Sequence, residues 1–471
     1  MLFNSLGFIV FLVVVLALYY APLLNWTGKK AMLLLASYLF YALWNPPLVI
    51  LLWISTFVDW TAGNQLAKET REGRRKMWLF LSLLVNLGFL GFFKYGNFFL
   101  ENFVALAQLS GWDYQPQPMD IILPMGISFY TFQTMSYTID IYRRQGQVAK
   151  TFLDFALYVT FFPQLVAGPI VRAKDLITQF YEEKKASSTQ FLWGLFLLTL
   201  GLFQKVVLAD TLLSSTSDTV FGSKQLLNGL DAWAGTLAFS GQIFFDFAGY
   251  STCAIGIALM LGIVLPDNFM YPYGSVGFRE LWRRWHITLS SWLRDYLYIP
   301  LGGNRHGIVR MYVALTLTML LGGLWHGAAW TFVVWGALHG LYLVAERVLS
   351  KFIKLKAKGI TLWILALLTY TFVNFTWVFF RAREFSTAKN IIASLFWMNP
   401  DGAKILNAYD LIQVFTVVGL LFITHVLMRN SNLAQLREKT NPAFLGIVWG
   451  VMLFLIGIAQ SSGEQFIYFQ F

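Results

Sequence analysis

The chain has 471 residues, of which 57% are hydrophobic, 18% are aromatic and only 13% are charged. Soluble domains carry about 25% charged residues, so this composition excludes a soluble globular protein and predicts an integral membrane protein. We attribute the net charge of +11 to basic cytoplasmic loops such as residues 68–76, and not to nucleic acid binding. Cys253 is the one cysteine, so no intramolecular disulfide or cysteine metal cluster can form, and we predict no metal site.

Apolar runs without charged residues follow one another along the whole chain, each as long as one membrane span or two short ones. We predict an all-α polytopic membrane protein with roughly eleven transmembrane helices in one domain, residues 1–471. The first run lacks a basic segment before it and is expected to remain as a span. The runs are 1–28, 31–58, 77–93, 121–139, 155–171, 186–204, 247–266, 311–345, 359–380, 411–428 and 441–463.

Glycine and proline interrupt several of these runs, at residues 44–47, 123–126, 167–169 and 322–323. Non-helical backbone at membrane depth is tolerated only against protein or a water-filled cavity. The breaks therefore favour re-entrant or interfacial segments beside a central cavity, although ordinary helix kinks are the alternative.

Asp246 lies among phenylalanines and precedes Tyr250 by four residues. A carboxylate in apolar surroundings needs a partner, which we expect to be an arginine of residues 279–294 or a histidine. It either orients an imidazole or holds helices together. We expect Cys253 to be inert, because no base or cation lies near it in sequence.

Residues 278–295 have the pattern of an amphipathic helix. This segment either lies at the membrane interface or forms a wall facing an anionic ligand. At helical spacing, one face would carry Arg279, Arg283, His286, Ser290 and Arg294. The glycine-containing segment 300–306 that follows is a weak phosphate-site candidate and is expected to be a turn, with His306 solvated.

His326 follows Trp325 in a segment rich in small residues, 321–330, which would leave room around the imidazole for a substrate. An ionisable group at membrane depth is a functional candidate, and a neutral imidazole can accept a proton from a hydroxyl. The alternative is a hydrogen-bonded structural histidine. His339 and His425 are expected to have no role in the chemistry.

The last six residues, 466–471, include four aromatic residues and follow the apolar run 441–463. Arg429, Arg437 and Lys439 precede that run, so we expect the end of the chain on the extracytoplasmic side of the membrane. Tyr468 is then either part of an interfacial aromatic belt or a nucleophile.

Taken together, several motifs resemble those of the membrane-bound O-acyltransferase superfamily, and within it the bacterial alginate and peptidoglycan O-acetyltransferases. The resemblance covers most of the chain. It rests on residues 123–130 (LPMGISFY), 162–169 (FPQLVAGP), 245–250 (FDFAGY), 282–290 (WRRWHITLS), 292–298 (WLRDYLY) and 322–327 (GGLWHG). Relatives often read FDFSGYSD where this chain has Ala248 and, near the last position, Cys253, so a role for a second carboxylate there is in doubt.

The resemblance implies a fold of many helices around a thin centre with a funnel toward each face. His326 would be catalytic, and His286 a second polar residue of the same site. The donor would be a cytoplasmic thioester, acetyl-CoA, and no cofactor would be bound. A partner would be an extracytoplasmic serine-hydrolase-like (SGNH-type) transferase. The segment 466–471 also resembles the end of the companion peptide of teichoic acid D-alanylation, which implies that Tyr468 carries the acyl group.

These expectations predict a bacterial inner-membrane enzyme that acetylates an extracytoplasmic polysaccharide. In that scheme His326 deprotonates the Tyr468 phenol, and Trp325 with His286 orients the reacting groups. We expect Arg279, Arg283, Arg294, Asp246 and Tyr250 to help bind the donor. Two alternatives remain: a permease without chemistry, and an enzyme in which the partner's serine is the direct acceptor.

Overall fold

The structure is a computed structural model that describes residues 3–353 and 357–459. These residues are folded almost entirely into helices, which confirms the predicted all-α class. They divide into two compact units. One comprises Met1–Leu195 with Ala254–Pro266, and the other Phe196–Cys253 with Asp267–Phe471. The single domain and the central funnel stay predictions.

The first unit is built from the helices of the amino-terminal part of the chain. They are α1 Leu6–Tyr20, α2 Trp26–Ala42, α3 Val49–Lys68, α4 Glu72–Leu109, α5 Ile127–Tyr142, α6 Phe152–Thr160, α7 Phe162–Leu165 and α8 Ala173–Leu176, followed by the start of α9 Ser188–Leu202. Short 3₁₀ segments precede α3 at Pro46–Leu48 and follow α8 at Ile177–Tyr181.

The second unit holds most of the remaining helices. They are α10 Ser215–Gly222, α11 Gly229–Met260, α12 Phe278–Arg284, α13 Ile287–Leu293, α14 Ile308–His326, α15 Trp330–Leu349, α16 Ile360–Arg381, α17 Phe385–Leu395, α18 Ala408–Met428, α19 Leu433–Lys439 and α20 Pro442–Ile458. The end of α11, from Ala254 to Met260, belongs to the first unit. Wider π-helical turns follow α9 at Phe203–Ser214 and α13 at Arg294–Tyr298, and a 3₁₀ turn lies at Pro272–Gly274.

Eight helices of the described residues are long and apolar enough to cross a membrane, and α1 and α20 are shorter apolar helices. Two runs predicted as spans contain no helix of the described residues that is long and apolar enough to cross a membrane: residues 121–139 and 155–171 form only the 16-residue α5 and the 9-residue α6 with the short α7. About 20 residues are needed to span the hydrocarbon core. Both α5 and α6 are instead largely buried in protein.

The predicted breaks at 44–47 and 123–126 are confirmed, since α2 ends at Ala42 and α5 begins at Ile127. Gly126 adopts a left-handed conformation with φ of 71°, and a Cβ there would lie 2.5 Å from the carbonyl oxygen of Leu165. The break predicted at residues 322–323 is wrong. Helix α14 continues through both glycines to His326, and the chain leaves the helix at Gly327.

Buried polar side chains tie α3, α4 and α5 together in the first unit. Ser82 Oγ donates to Asp59 Oδ1 at 2.5 Å, and Asn86 Nδ2 donates to Asp59 Oδ2 at 2.8 Å. Thr134 Oγ1 of α5 donates to Asn86 Oδ1 at 3.0 Å. In surroundings without water such bonds satisfy polar groups that would otherwise be costly to bury.

Small residues let helices of the second unit approach closely. A Cβ on Gly201 would lie 2.4 Å from the carbonyl oxygen of Gly249, and a Cβ on Gly249 would lie 2.7 Å from that of Gly201. The Sγ atom of Cys253 lies 3.5 Å from the carbonyl oxygen of Leu198 at the same crossing. The buried Cys253 is therefore a packing residue of a small-residue helix crossing.

Helices α14 and α15 form a hairpin with backbone-to-backbone packing. A Cβ on Gly323 would lie 2.3 Å from the carbonyl oxygen of Phe332, and a Cβ on Gly336 would lie 2.3 Å from that of Met319. Neither position can hold a larger residue unless the backbone moves. The hairpin therefore sets the positions of the side chains at its turn.

Candidate active site

His326 is the last residue of α14, beside the turn of the hairpin. The next residue, Gly327, is extended, and a Cβ there would lie only 2.1 Å from the ring of Phe332. Glycine is needed at this position because the Phe332 ring occupies the space of a side chain. The turn thus places the imidazole at a helix end, where it is 3% exposed.

Aromatic rings enclose His326. The ring centroid of Trp325 lies 5.0 Å away, that of Trp335 5.0 Å and that of Phe380 5.3 Å, all in edge arrangements. Trp335 comes from α15 and Phe380 from α16, so three helices meet at this imidazole. Such surroundings exclude bulk water, which strengthens electrostatic interactions with a reacting group.

His286 lies between α12 and α13 in a left-handed conformation, with φ of 43° and ψ of 56°. Such a conformation costs about 1–3 kcal/mol in a non-glycine residue, and it persists only where the surroundings impose it. Here the buried Asn268 does so. Its Oδ1 atom lies 3.1 Å from Nδ1 of His286, and it accepts hydrogen bonds from the backbone N–H and the hydroxyl of Thr288.

The same bonds determine the tautomer of His286. Because Asn268 Oδ1 accepts from the Thr288 amide, it is an acceptor, and Nδ1 of His286 must carry the proton that it donates. Nε2 is then left as the basic nitrogen. The ring is 0% exposed, and burial lowers the pKa of His286 to about 3, so the imidazole is neutral at physiological pH.

Trp325 brings the two histidines to one site. Its ring centroid lies 6.0 Å from that of His286 and 5.0 Å from that of His326. The predicted grouping of His286, Trp325 and His326 is therefore present in the structure, within the second unit.

The predicted helical face with three arginines and His286 is wrong. The left-handed His286 ends one helix and precedes another, so the segment is not a continuous amphipathic helix. Arg279, Arg283 and Arg294 are exposed, and Arg294 pairs with its neighbour Asp295 at 2.6 Å. The structure does not bring these arginines to His286, and their part in donor binding stays a prediction.

Asp246 pairs with Lys205, which the sequence analysis did not single out. The distance from Lys205 Nζ to Asp246 Oδ1 is 2.5 Å, and the distance to Asp210 Oδ1 is 2.8 Å. The expected partner was an arginine or a histidine. Tyr250 is buried one turn after Asp246 in α11, and both residues keep their predicted donor-binding roles only as predictions.

The other histidines have structural environments. His339 Nε2 bonds to Thr376 Oγ1 at 3.0 Å, and the amide of Tyr273 donates to Nδ1 of His425 at 3.1 Å. His306 is exposed after a turn at Gly302 and Gly303. Tyr468 and the segment 466–471 lie outside the described residues.

Asn268 and Trp335 were also missed by sequence reasoning. Asn268 precedes His286 by 18 residues in a stretch without regular periodicity, so no spacing signals their contact. Trp335 could have been found as the residue beside Gly336 on the returning helix. Across residues 3–353 and 357–459, no group of three or more His, Cys, Asp or Glu side chains is placed to hold a metal ion.

Because the pKa of His286 is low, we expect the stability of the folded protein to depend on pH. The unfolded state binds a proton below its pKa of about 6.5, whereas the folded state does not until about pH 3. Stability therefore falls as pH drops below about 6.5, by up to about 1.4 kcal/mol per pH unit. We expect His286→Asn, which tolerates the left-handed conformation, to lose less stability than the wild type between pH 7 and 5, as measured by thermal unfolding in detergent. His306→Asn, at the exposed loop, is the control; equal acid sensitivity of the wild type and His286→Asn would contradict the assignment.

The fold and the site define a polytopic membrane protein with a buried pair of imidazoles. Residues 144–383 match the model of the MBOAT, membrane-bound O-acyltransferase family. The chain is 40% identical to the probable alginate O-acetylase AlgI of Pseudomonas aeruginosa, over 92% of this chain and 82% of that protein. It is 36% identical to the peptidoglycan O-acetyltransferase of Helicobacter pylori, over 94% and 91% of the two chains. It is 27% identical to the teichoic acid D-alanyltransferase of Streptococcus thermophilus, over 68% and 72%.

The chain belongs to the membrane-bound O-acyltransferase family. It is a multi-pass membrane enzyme that transfers acyl groups to oxygen, within the bacterial O-acetyltransferase branch of that family.

Proposed function

We propose that this protein acetylates an extracytoplasmic polysaccharide, with acetyl-CoA from the cytoplasm as the donor. Two relatives of similar identity are named for alginate and for peptidoglycan acetylation, which supports a polysaccharide acceptor. The protein would act in the bacterial inner membrane. The observation that carries the proposal is the buried His326 at the turn of the α14–α15 hairpin, next to Trp325 and in one unit with His286.

His326 acts as the general base and then as the general acid. It takes the proton of the attacking hydroxyl while the hydroxyl oxygen bonds to the thioester carbonyl carbon. When the carbon–sulfur bond breaks, the imidazolium gives the proton to the departing CoA thiolate. The products are an acetyl ester and CoA thiol, and the imidazole is neutral again.

His286 is suited to orient a reacting hydroxyl by a hydrogen bond rather than to exchange protons with it. Its Nδ1 proton is engaged by Asn268, and its low pKa keeps Nε2 unprotonated at neutral pH. A hydrogen-bond acceptor near Trp325 can orient the O–H of an incoming hydroxyl. We therefore assign His286 to positioning and His326 to proton transfer.

The Tyr468 phenol is the proposed first acceptor. Basic residues precede α20, at Arg437 and Lys439, so this helix would run outward and carry the end of the chain to the outer face. A phenol has a pKa of about 10 and needs a positioned base to attack at neutral pH, which His326 supplies. The acetyl group would then pass to the serine of an extracytoplasmic SGNH-type transferase, and from that serine to a sugar hydroxyl.

The carrier role makes acetylation of Tyr468 measurable. We expect the C-terminal peptide of protein purified in detergent to gain one acetyl group on Tyr468 after incubation with acetyl-CoA, as read by mass spectrometry. Tyr468→Phe should leave the peptide unmodified and abolish transfer to the polysaccharide. Tyr409→Phe is the matched control, because Tyr409 is 70% exposed at the start of α18.

Other outcomes of this measurement assign the step differently. CoA release with an unmodified peptide and full activity of Tyr468→Phe would exclude the carrier and indicate direct transfer to the partner's serine. An unmodified peptide with no CoA release, even with the partner and the polysaccharide added, would contradict acetyl-CoA as donor and favour a permease.

A further inference from the structure

Tryptophans elsewhere in the second unit donate their indole N–H. Trp233 Nε1 donates to the carbonyl oxygen of Leu395 at 3.1 Å, and Trp449 Nε1 donates to Thr199 Oγ1 at 2.9 Å. This is the ordinary behaviour of buried indoles, because an N–H removed from water without an acceptor is costly.

Three indole N–H groups around Trp335, which contacts His326, depart from this behaviour. The Nε1 atoms of Trp282, Trp335 and Trp377 are buried and have no hydrogen-bond partner among the described residues. These tryptophans form one cluster, since the ring centroid of Trp335 lies 5.8 Å from that of Trp282 and 6.0 Å from that of Trp377. Trp335 is 1% exposed and Trp377 is 2% exposed. The unit thus buries several unused donors together at the candidate active site.

Trp335 is the member of this cluster that contacts the catalytic imidazole. Its ring centroid lies 5.0 Å from that of His326, with the two planes at 81°. Its neighbour Gly336 packs on the backbone of α14 at Met319, and Gly323 lies three residues before His326. The close glycine contacts of the hairpin therefore hold Trp335 and His326 in one fixed relation, as preorganised catalytic groups require.

An indole N–H can donate a hydrogen bond but cannot accept one, so the matching group must be an acceptor. Resting on the proposed acetyl transfer, we propose that the indole N–H of Trp335 donates to the carbonyl oxygen of the acyl group that reacts beside His326. This oxygen becomes negative when the hydroxyl oxygen bonds to the carbonyl carbon. The charge returns to the carbon–oxygen bond as the carbon–sulfur bond breaks. Trp335 neither gains nor loses a proton, and it stabilises the oxyanion between these two events.

The test removes the indole N–H of Trp335, once by an isostere and once by a smaller ring. We compare the wild type with a protein in which Trp335 is replaced by 3-benzothienylalanine, an isostere with sulfur in place of N–H, and with Trp335→Phe. The control is Trp233→Phe, which removes an N–H that has an acceptor. The readouts are kcat and KM for acetyl-CoA, from CoA release coupled to acetyl transfer, and the thermal unfolding midpoint in detergent.

We expect both Trp335 replacements to lower kcat by about 10²–10³-fold, as for the loss of one oxyanion donor, with KM for acetyl-CoA changed by less than about twofold. The isostere should not lower the unfolding midpoint, because the N–H that it removes has no partner in the part of the chain that the structure describes. Trp233→Phe should show the reverse pattern, a lower midpoint and an unchanged kcat.

Either of two results would overturn this inference. One is a wild-type kcat in the protein that carries 3-benzothienylalanine at position 335. The other is a lower kcat that is found only in variants whose unfolding midpoint is also lower. These results leave the proposed function standing. Absence of acetyl transfer by the wild-type protein would instead remove the proposed function and this inference with it.

Discussion

His326→Ala is expected to abolish acetyl transfer, with a fall in kcat of about 10²–10⁴-fold or more. The imidazole is the only part of this residue that can accept the hydroxyl proton, and alanine leaves the reaction without a positioned base. A phenol with a pKa of about 10 would then have to attack almost entirely in its protonated form at neutral pH. The measurement is acetyl incorporation into the C-terminal peptide, together with CoA release.

The loss must be separated from unfolding, because His326 is 3% exposed and packs against Trp325, Trp335 and Phe380. The purified variant must therefore be shown to be folded. We expect His326→Ala in detergent to give a cooperative thermal transition. His306→Ala changes an exposed loop histidine and should retain wild-type activity. Near-wild-type acetylation by folded His326→Ala would exclude this residue as the base.

Lys205→Met is expected to produce the largest loss of stability. Its ammonium lies 2.8 Å from Asp210 Oδ1 and 2.5 Å from Asp246 Oδ1, and the three side chains are 8%, 3% and 2% exposed. Removing one partner from a buried ion pair leaves uncompensated charge, which costs about 3–5 kcal/mol. Thermal unfolding in detergent should show a much lower midpoint, with little folded protein recovered at 37 °C.

Two further variants test this explanation. Lys29→Met breaks a pair of similar length, 2.7 Å, but its partner Glu183 is 55% exposed, so the loss should be about 1 kcal/mol or less. Combining Lys205→Met with Asp210→Asn and Asp246→Asn removes the buried charges and should restore much of the stability. A Lys205→Met protein no less stable than Lys29→Met would show that this cluster does not hold the helices together.

The π-helical geometry explains why Lys205 escaped prediction. Residues five apart point in different directions on an α-helix, about 140° apart at 100° per residue, so Lys205 and Asp210 were not recognisable as neighbours. The π-helical turns at Phe203–Ser214 are wider, with hydrogen bonds between residues five apart, and they bring the two side chains within hydrogen-bonding distance. The sequence pattern of a helix does not reveal where its turns widen.

Local patterns did predict the class of fold, and they singled out His326, whose catalytic role stays a prediction. A low charged fraction and long apolar runs predicted a polytopic helical protein, because the bilayer admits few other structures. Small residues around His326 predicted room around the imidazole, but in the structure the rings of Trp325, Trp335 and Phe380 enclose it.

The helical periodicity gave a wrong prediction where a single residue interrupts the helix. Residues 278–295 have the composition of one amphipathic helix, but Asn268 holds His286 in a left-handed conformation and divides it. Similarly, Gly323 was interpreted as a break, whereas it serves as a contact surface for α15. Glycine favours both outcomes, and only the position of the neighbouring helix distinguishes them.

The sequence by itself determined the membrane class, the family resemblance and the choice of His326, because these follow from composition and from motifs contained in short segments. Tertiary structure decided which side chains meet: Asn268 at His286, Lys205 at Asp246, and Trp335 at His326. Each of these contacts joins segments far apart in the chain or depends on the path of the backbone between them. Such distances are set by how helices pack, and no local spacing of residues encodes them.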